Sequence, residues 1–84
     1  MWYVLKDDVK HPSLEIIGNA NNASDASEIM LIDVQKYITI PKQEIENVKN
    51  DIDYYYTCNN GKTVCLSKWS AYIEDVCAWD LYEY

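Results

Sequence analysis

The stretch Asp53-Tyr54-Tyr55-Tyr56-Thr57-Cys58, Asn59-Asn60-Gly61-Lys62, Thr63-Val64-Cys65-Leu66 commits this chain to antiparallel sheet. Two runs of aromatic and β-branched residues flank an Asn-Gly pair, which takes left-handed backbone readily and so suits the tight turn of a hairpin. With Asn60-Gly61 as a two-residue loop, Cys58 stands opposite Thr63 and Tyr56 opposite Cys65. The two cysteines are then not directly paired, and no disulfide is expected there.

Further strands follow from the same kind of pattern. Trp2-Tyr3-Val4-Leu5 is an aromatic and β-branched run closed by Lys6-Asp7-Asp8, and it reads as a first strand. Lys10-His11-Pro12 breaks it. Ser13 to Ile17 reads as a second strand ended by Gly18, and the turn formers from Asn19 to Asp25 are expected to make the longest loop. Between Glu28 and Ile40 the even positions Met30, Ile32, Val34, Ile38 and Ile40 are apolar, which favours one bent strand or two. A helix there competes, since Asp25 and Glu28 can form a capping box. Pro41 interrupts the pattern, and Ile45 with Val48 fits either a short helical turn or another strand.

Near the C-terminus, Ser67 is placed to cap a helix carrying Trp69, Tyr72, Ile73, Val76 and Cys77 along one apolar stripe. The expected architecture is α+β: a curved, mainly antiparallel sheet of about five strands with one C-terminal helix across it, a small barrel being one closed variant. A chain of 84 residues supports one core, so residues 1–84 are expected to form a single domain.

Fourteen Asp and Glu stand against seven Lys and no Arg, a net charge of −7. Nucleic-acid binders neutralise phosphates with Lys and Arg and read guanine with Arg forks, so direct nucleic-acid binding is not expected. A partner that exploits this charge is itself basic; the competing explanation is that acidity only keeps a small protein soluble. No apolar run approaches the ~20 residues that cross a bilayer, and Met1-Trp2-Tyr3 leads into Lys6-Asp7-Asp8 rather than a signal-peptide core, so no membrane partner and no secretion are expected. The odd cysteine count, Cys58, Cys65 and Cys77, fits reduced thiols in the cytoplasm. The sequon Asn22-Ala23-Ser24 has nothing beside it that points to secretion.

Candidate chemistry is sparse. Cys58, Cys65, Cys77 and His11 form none of the paired zinc spacings, so no metal site is expected. His11 is the only histidine, next to Pro12, and no nucleophile elbow accompanies it. With two glycines in all, no phosphate-cradling loop or other cofactor site is expected, and the chain reads as a non-enzyme.

Eight tyrosines and three tryptophans with no phenylalanine point instead to contact surfaces, because Tyr and Trp bring area with a polar tip. The acidic, aromatic C-terminal segment is the candidate partner-binding patch: Glu74, Asp75, Trp79, Asp80, Tyr82, Glu83 and Tyr84. On the helical reading, Glu74, Asp75, Asp80 and Glu83 crowd a helix C-terminus, where the macrodipole is also negative; such an end frays or is met by a basic partner. In size, acidity and lack of catalytic residues, the chain resembles the small phage inhibitors of bacterial defence, such as anti-CRISPR and anti-restriction proteins. It is similar in the same respects to immunity proteins that neutralise nuclease toxins. The resemblance is one of type over the whole chain, with no matched motif and no residue assigned. It implies a small inhibitor that occupies the basic surface of a nuclease or other nucleic-acid-handling protein. The alternative class is an adaptor or structural module.

Overall fold

The computed structural model describes residues 1–10, 14–57 and 61–84. Its elements run β1 (Trp2–Asp8), β2 (Leu14–Ala20), α1 (Ala23–Val34), α2 (Lys42–Lys49), β3 (Tyr54–Thr57), β4 (Thr63–Leu66), β5 (Ser70–Ile73) and β6 (Cys77–Glu83). The strands form one open six-stranded sheet in the order β2-β1-β6-β5-β4-β3. Every pairing is antiparallel. The fold is therefore α+β with an antiparallel sheet, as the sequence implies, but with six strands and two helices rather than five and one. The sheet does not close into a barrel, because β2 and β3 are left as edges.

Both helices cover the same face. Alternation along each strand sends Val4, Val64, Leu66, Ala71, Ile73, Cys77 and Trp79 inward, where they meet Ala26, Met30, Leu31 and Val34 of α1 and Ile45 and Val48 of α2. At the β1–β2 pair the register shifts between Val4 and Leu5, so Val4 faces Gly18 while Leu5 faces Ile16. Ile17 is the extra residue of this bulge and turns its side chain to the core. Gly18 lies under α1, where a Cβ would stand 3.0 Å from Ile29 Cγ2.

Several expectations are corrected. Residues 23–34 are helix, not strand. Asn22 is the N-cap, its side chain accepting from the Asp25 amide at 2.8 Å, and Ala26, Ser27, Met30, Leu31 and Val34 are buried at helical spacing. The even-phase pattern misleads through Ile32, which is 56% exposed on the outer side of α1. The loop expected from Asn19 to Asp25 is much shorter, because β2 runs on through Gly18 to Ala20 and Asn22 already caps α1. Ile45 and Val48 belong to α2, the helical alternative.

The largest correction concerns the C-terminal helix, which does not form: residues 70–83 are the β5–β6 hairpin. Ser67 does cap backbone amides, accepting from Ser70 at 3.0 Å and Trp69 at 3.3 Å, but it closes a turn into β5. Asp75 has φ 63°, a left-handed conformation that ends one strand and starts the next. The stripe from Trp69 to Cys77 is consequently not a helix face, and the argument from a helix C-terminus lapses with it.

The β3–β4 hairpin is present, with Thr57 opposite Thr63, Tyr56 opposite Val64 and Tyr55 opposite Cys65. That register differs by one residue from a two-residue Asn60-Gly61 loop, and the Tyr56–Cys65 pairing does not occur. Cys58 and Asn60, like His11 and Ser13, lie outside the described residues. Cys65 and Cys77 are free thiols. No helix among the described residues is long and apolar enough to cross a membrane.

Candidate functional site on the uncovered sheet face

The helices leave one whole face of the sheet bare, and strand register specifies what it displays. Residues paired across strands point to the same side. One row runs Leu14, Asp7, Ala78, Tyr72, Cys65 and Tyr55. The next runs Ile16, Leu5, Asp80 and Ser70, and a third brings Tyr3 beside Tyr82. Leu14, Ile16, Tyr55, Tyr72, Tyr82 and Tyr84 are all well exposed, Tyr82 at 54% and Tyr84 at 87%. Tyr3, Leu5, Ile16, Tyr82 and Tyr84 line a shallow, almost wholly apolar depression of about 390 Å³.

The charge on this face is one-sided. Asp7 and Asp80 sit diagonally across β1 and β6, and neither has a cationic partner among the described residues. Every lysine lies elsewhere. Lys6 and Lys36 bind Asp33, Lys49 binds Glu28 and Glu46, and Lys62 binds Asp75. Lys68 lies over the Trp69 ring, while Lys10 and Lys42 stand in the segment after β1 and at the start of α2. The Met1 ammonium group at the border of this face donates to the Tyr84 main-chain oxygen at 3.3 Å.

The C-terminal candidate residues therefore separate into groups. Asp80 and Tyr82 lie two apart on the uncovered side of β6, and Tyr84, just past its end, lines the depression with Tyr82. Glu83 alternates to the other side, opposite Trp2. Glu74 and Asp75 sit in the β5–β6 turn at the far end of the hairpin, where Asp75 pairs with Lys62 at 3.5 Å. Trp79 is 1% exposed and belongs to the core, so it cannot serve as a surface anchor. Tyr3, Leu5, Asp7 and Ile16 were not among the sequence candidates. Their alternation with Trp2, Val4 and Lys6 is visible in the sequence, but the pairing of the first strand with the last is not.

On the helix side, Asp33 is enclosed by donors. Trp79 Nε1 donates to its Oδ2 at 2.9 Å, Lys6 Nζ lies 3.0 Å from the same oxygen and Lys36 Nζ 3.3 Å from Oδ1. Lys6 Nζ also donates to the Tyr37 hydroxyl at 2.6 Å. Burial opposes both charges, but these hydrogen bonds and the mutual attraction outweigh it, holding Asp33 below and Lys6 above their ordinary pKa values. A depression of about 590 Å³ borders this network. Both of its lysines are committed to Asp33, so it is a structural pin between sheet and helix. Burial pushes the Cys77 thiol up and so disfavours its thiolate. Among the described residues, no group of three or more His, Cys, Asp and Glu side chains could hold a metal ion.

Compared with family models, with curated proteins and with solved structures, the chain matches none.

Proposed function

We propose that this chain is a non-enzymatic binding protein that docks its uncovered sheet face on the basic surface of a nucleic-acid-handling protein and thereby inhibits it. The observation that carries the reading is the composition of that face: tyrosines and aliphatic residues around Asp7 and Asp80, with no lysine among its described residues. Monomeric proteins seldom leave a contiguous apolar surface rimmed by polar groups without a use for it. Tyrosine is enriched at the centre of interfaces, where it supplies area and a polar tip. Two carboxylates without a cationic partner among the described residues, in a chain of net charge −7, favour a cationic surface and repel nucleic acid itself.

The contact differs from simple charge mimicry, since the carboxylates on it are few: Asp7 and Asp80, with Asp53 beside Tyr55 and Tyr72 toward the β3 edge. The remaining acidic surface steers approach, while the tyrosine patch supplies short-range energy. Such an inhibitor acts as an anti-CRISPR or anti-restriction protein would, or as an immunity protein on a toxin nuclease, according to the target. The test is competition: a candidate nuclease or effector and labelled nucleic acid are mixed with the protein, and displacement is followed as salt rises. Displacement that weakens steeply with salt supports the reading. Binding that leaves the nucleic acid in place contradicts groove occupation.

A further inference from the structure

We propose that the depression lined by Tyr3, Leu5, Ile16, Tyr82 and Tyr84 receives a single arginine side chain of the protein partner, with Asp80 taking its guanidinium group. This rests on the docking reading above and names the group that the face recognises. The pair Tyr3–Tyr82 lies side by side across β1 and β6, and Asp80 stands opposite Leu5, two residues before Tyr82 on the same side. Cross-strand and diagonal neighbours on one face lie roughly 5–8 Å apart, within reach of one long side chain. A guest seated in the depression lies among tyrosine and aliphatic side chains, and the Asp80 carboxylate stands next to it, beside Leu5 on the neighbouring strand.

Chemistry narrows the guest. A purely apolar anchor would strip water from Asp80 without giving it a partner, at a net cost. A phosphate or carboxylate would be repelled by Asp7 and Asp80. Lysine offers the charge, but its ammonium is compact and strongly hydrated. Guanidinium is planar and weakly hydrated, stacks on tyrosine rings and meets a carboxylate through two parallel hydrogen bonds. A second copy cannot be the occupant, because the chain contains no arginine and would bring another seven negative charges.

The experiment titrates the isotopically labelled protein with three peptides of one length, in which glycine alternates with arginine, with lysine or with neutral citrulline, and follows backbone NMR shifts. The arginine peptide is expected to perturb Tyr3, Leu5, Asp80, Tyr82 and Tyr84 and to bind about two- to fivefold tighter than the lysine peptide, the scale of an exposed cation–π contact. The citrulline peptide should bind far more weakly than either. Asp80→Asn and Tyr82→Leu, both at exposed positions, should each abolish the preference for arginine while the rest of the spectrum is unchanged. Equal binding of arginine and lysine peptides at this face would overturn the arginine receptor and leave the docking reading standing. So would an unchanged preference in Asp80→Asn. No perturbation of the face by either cationic peptide would overturn both.

Discussion

Trp79 Nε1 donates a 2.9 Å hydrogen bond to Asp33 Oδ2, tying the central strand β6 to helix α1 across 46 positions of the chain. Lys6 on β1 shares the same carboxylate oxygen, so one buried acid joins the neighbouring strands β1 and β6 to the helix that covers them. The pin holds the covered face, on the side of the sheet opposite Tyr3, Tyr72 and Tyr82.

The same relationship predicts a pH dependence. Asp33 lies below its ordinary value of 3.8 in the folded state, so the unfolded chain takes up a proton first as pH falls. Its contribution is complete above that value and is lost as pH drops through it toward the folded pKa. Lys6 lies above its ordinary 10.5, so its contribution is complete below that value and is lost as pH rises past it. Asp33→Asn should reduce stability by ~3 kcal/mol near neutrality, because Lys6 is left half-enclosed without its counter-charge. It should also flatten the acid limb. Urea midpoints measured from neutral to acidic pH check this, and parallel acid limbs for parent and variant would contradict it.

Ser27 predicts the opposite sign. Its hydroxyl is buried on the inner side of α1 and has no hydrogen-bond partner among the described residues. Removing an unsatisfied buried hydroxyl from a helix should stabilise the fold, so Ser27→Ala is expected to gain about 1 kcal/mol. A thermal midpoint equal to or below that of the parent would show that the hydroxyl is satisfied.

The hairpin turn offers a backbone test. Gly61 has φ 83° and nothing within 4 Å of where a Cβ would stand, so any cost of substitution comes from the left-handed conformation alone. Gly61→Val should lose ~1–3 kcal/mol, whereas Gly61→Asn should lose much less, since asparagine tolerates that region. Chemical denaturation of the two variants side by side separates strain from crowding; equal losses would contradict the argument.

Sequence patterns were most legible where a turn residue and strand propensity agreed. The first strand, the β3–β4 hairpin and the general α+β character are readable from Trp2–Leu5 and from the tyrosine run before Gly61. Ambiguity arose where one set of residues served two periods. Met30 and Val34 fit strand alternation as well as a helix face, and the outward position of Ile32 with the burial of its neighbour Leu31 separates the two. Around Trp69 to Cys77, the apolar spacing matched a helix, yet Ala71, Ile73, Cys77 and Trp79 also alternate as two strands around a left-handed Asp75. Propensity was overridden there by pairing with β4 and β1, partners that no local pattern reveals. The site was half visible for the same reason: Asp80, Tyr82 and Tyr84 are consecutive alternate residues, whereas Tyr3, Leu5 and Ile16 join them only through the sheet order.

The core residue Trp79 and the surface residue Tyr82 should respond differently to truncation, although they are three positions apart. Trp79→Ala opens a cavity and removes one of the donors to the Asp33 carboxylate, leaving Lys6 and Lys36, and should cost ~3–5 kcal/mol of stability. Tyr82→Ala should leave the unfolding midpoint nearly unchanged but speed dissociation from a basic partner, by ~2 kcal/mol if it is an interface hot spot. A large stability loss in Tyr82→Ala with unchanged dissociation would show that it is a structural residue.

On the proposed function a specific face, and not bulk acidity, engages the partner. The most direct measurement compares two variants that remove the same charge from opposite sides: Asp7→Asn with Asp80→Asn on the uncovered face, and Glu44→Gln with Glu46→Gln on α2. Association and dissociation rates are measured against a basic protein that the parent displaces from nucleic acid. The account predicts that both variants associate somewhat more slowly at low salt, since both reduce long-range attraction, and that only the face variant also dissociates faster. Identical rates for the two variants at every salt concentration would contradict it, because binding would then depend on net charge alone.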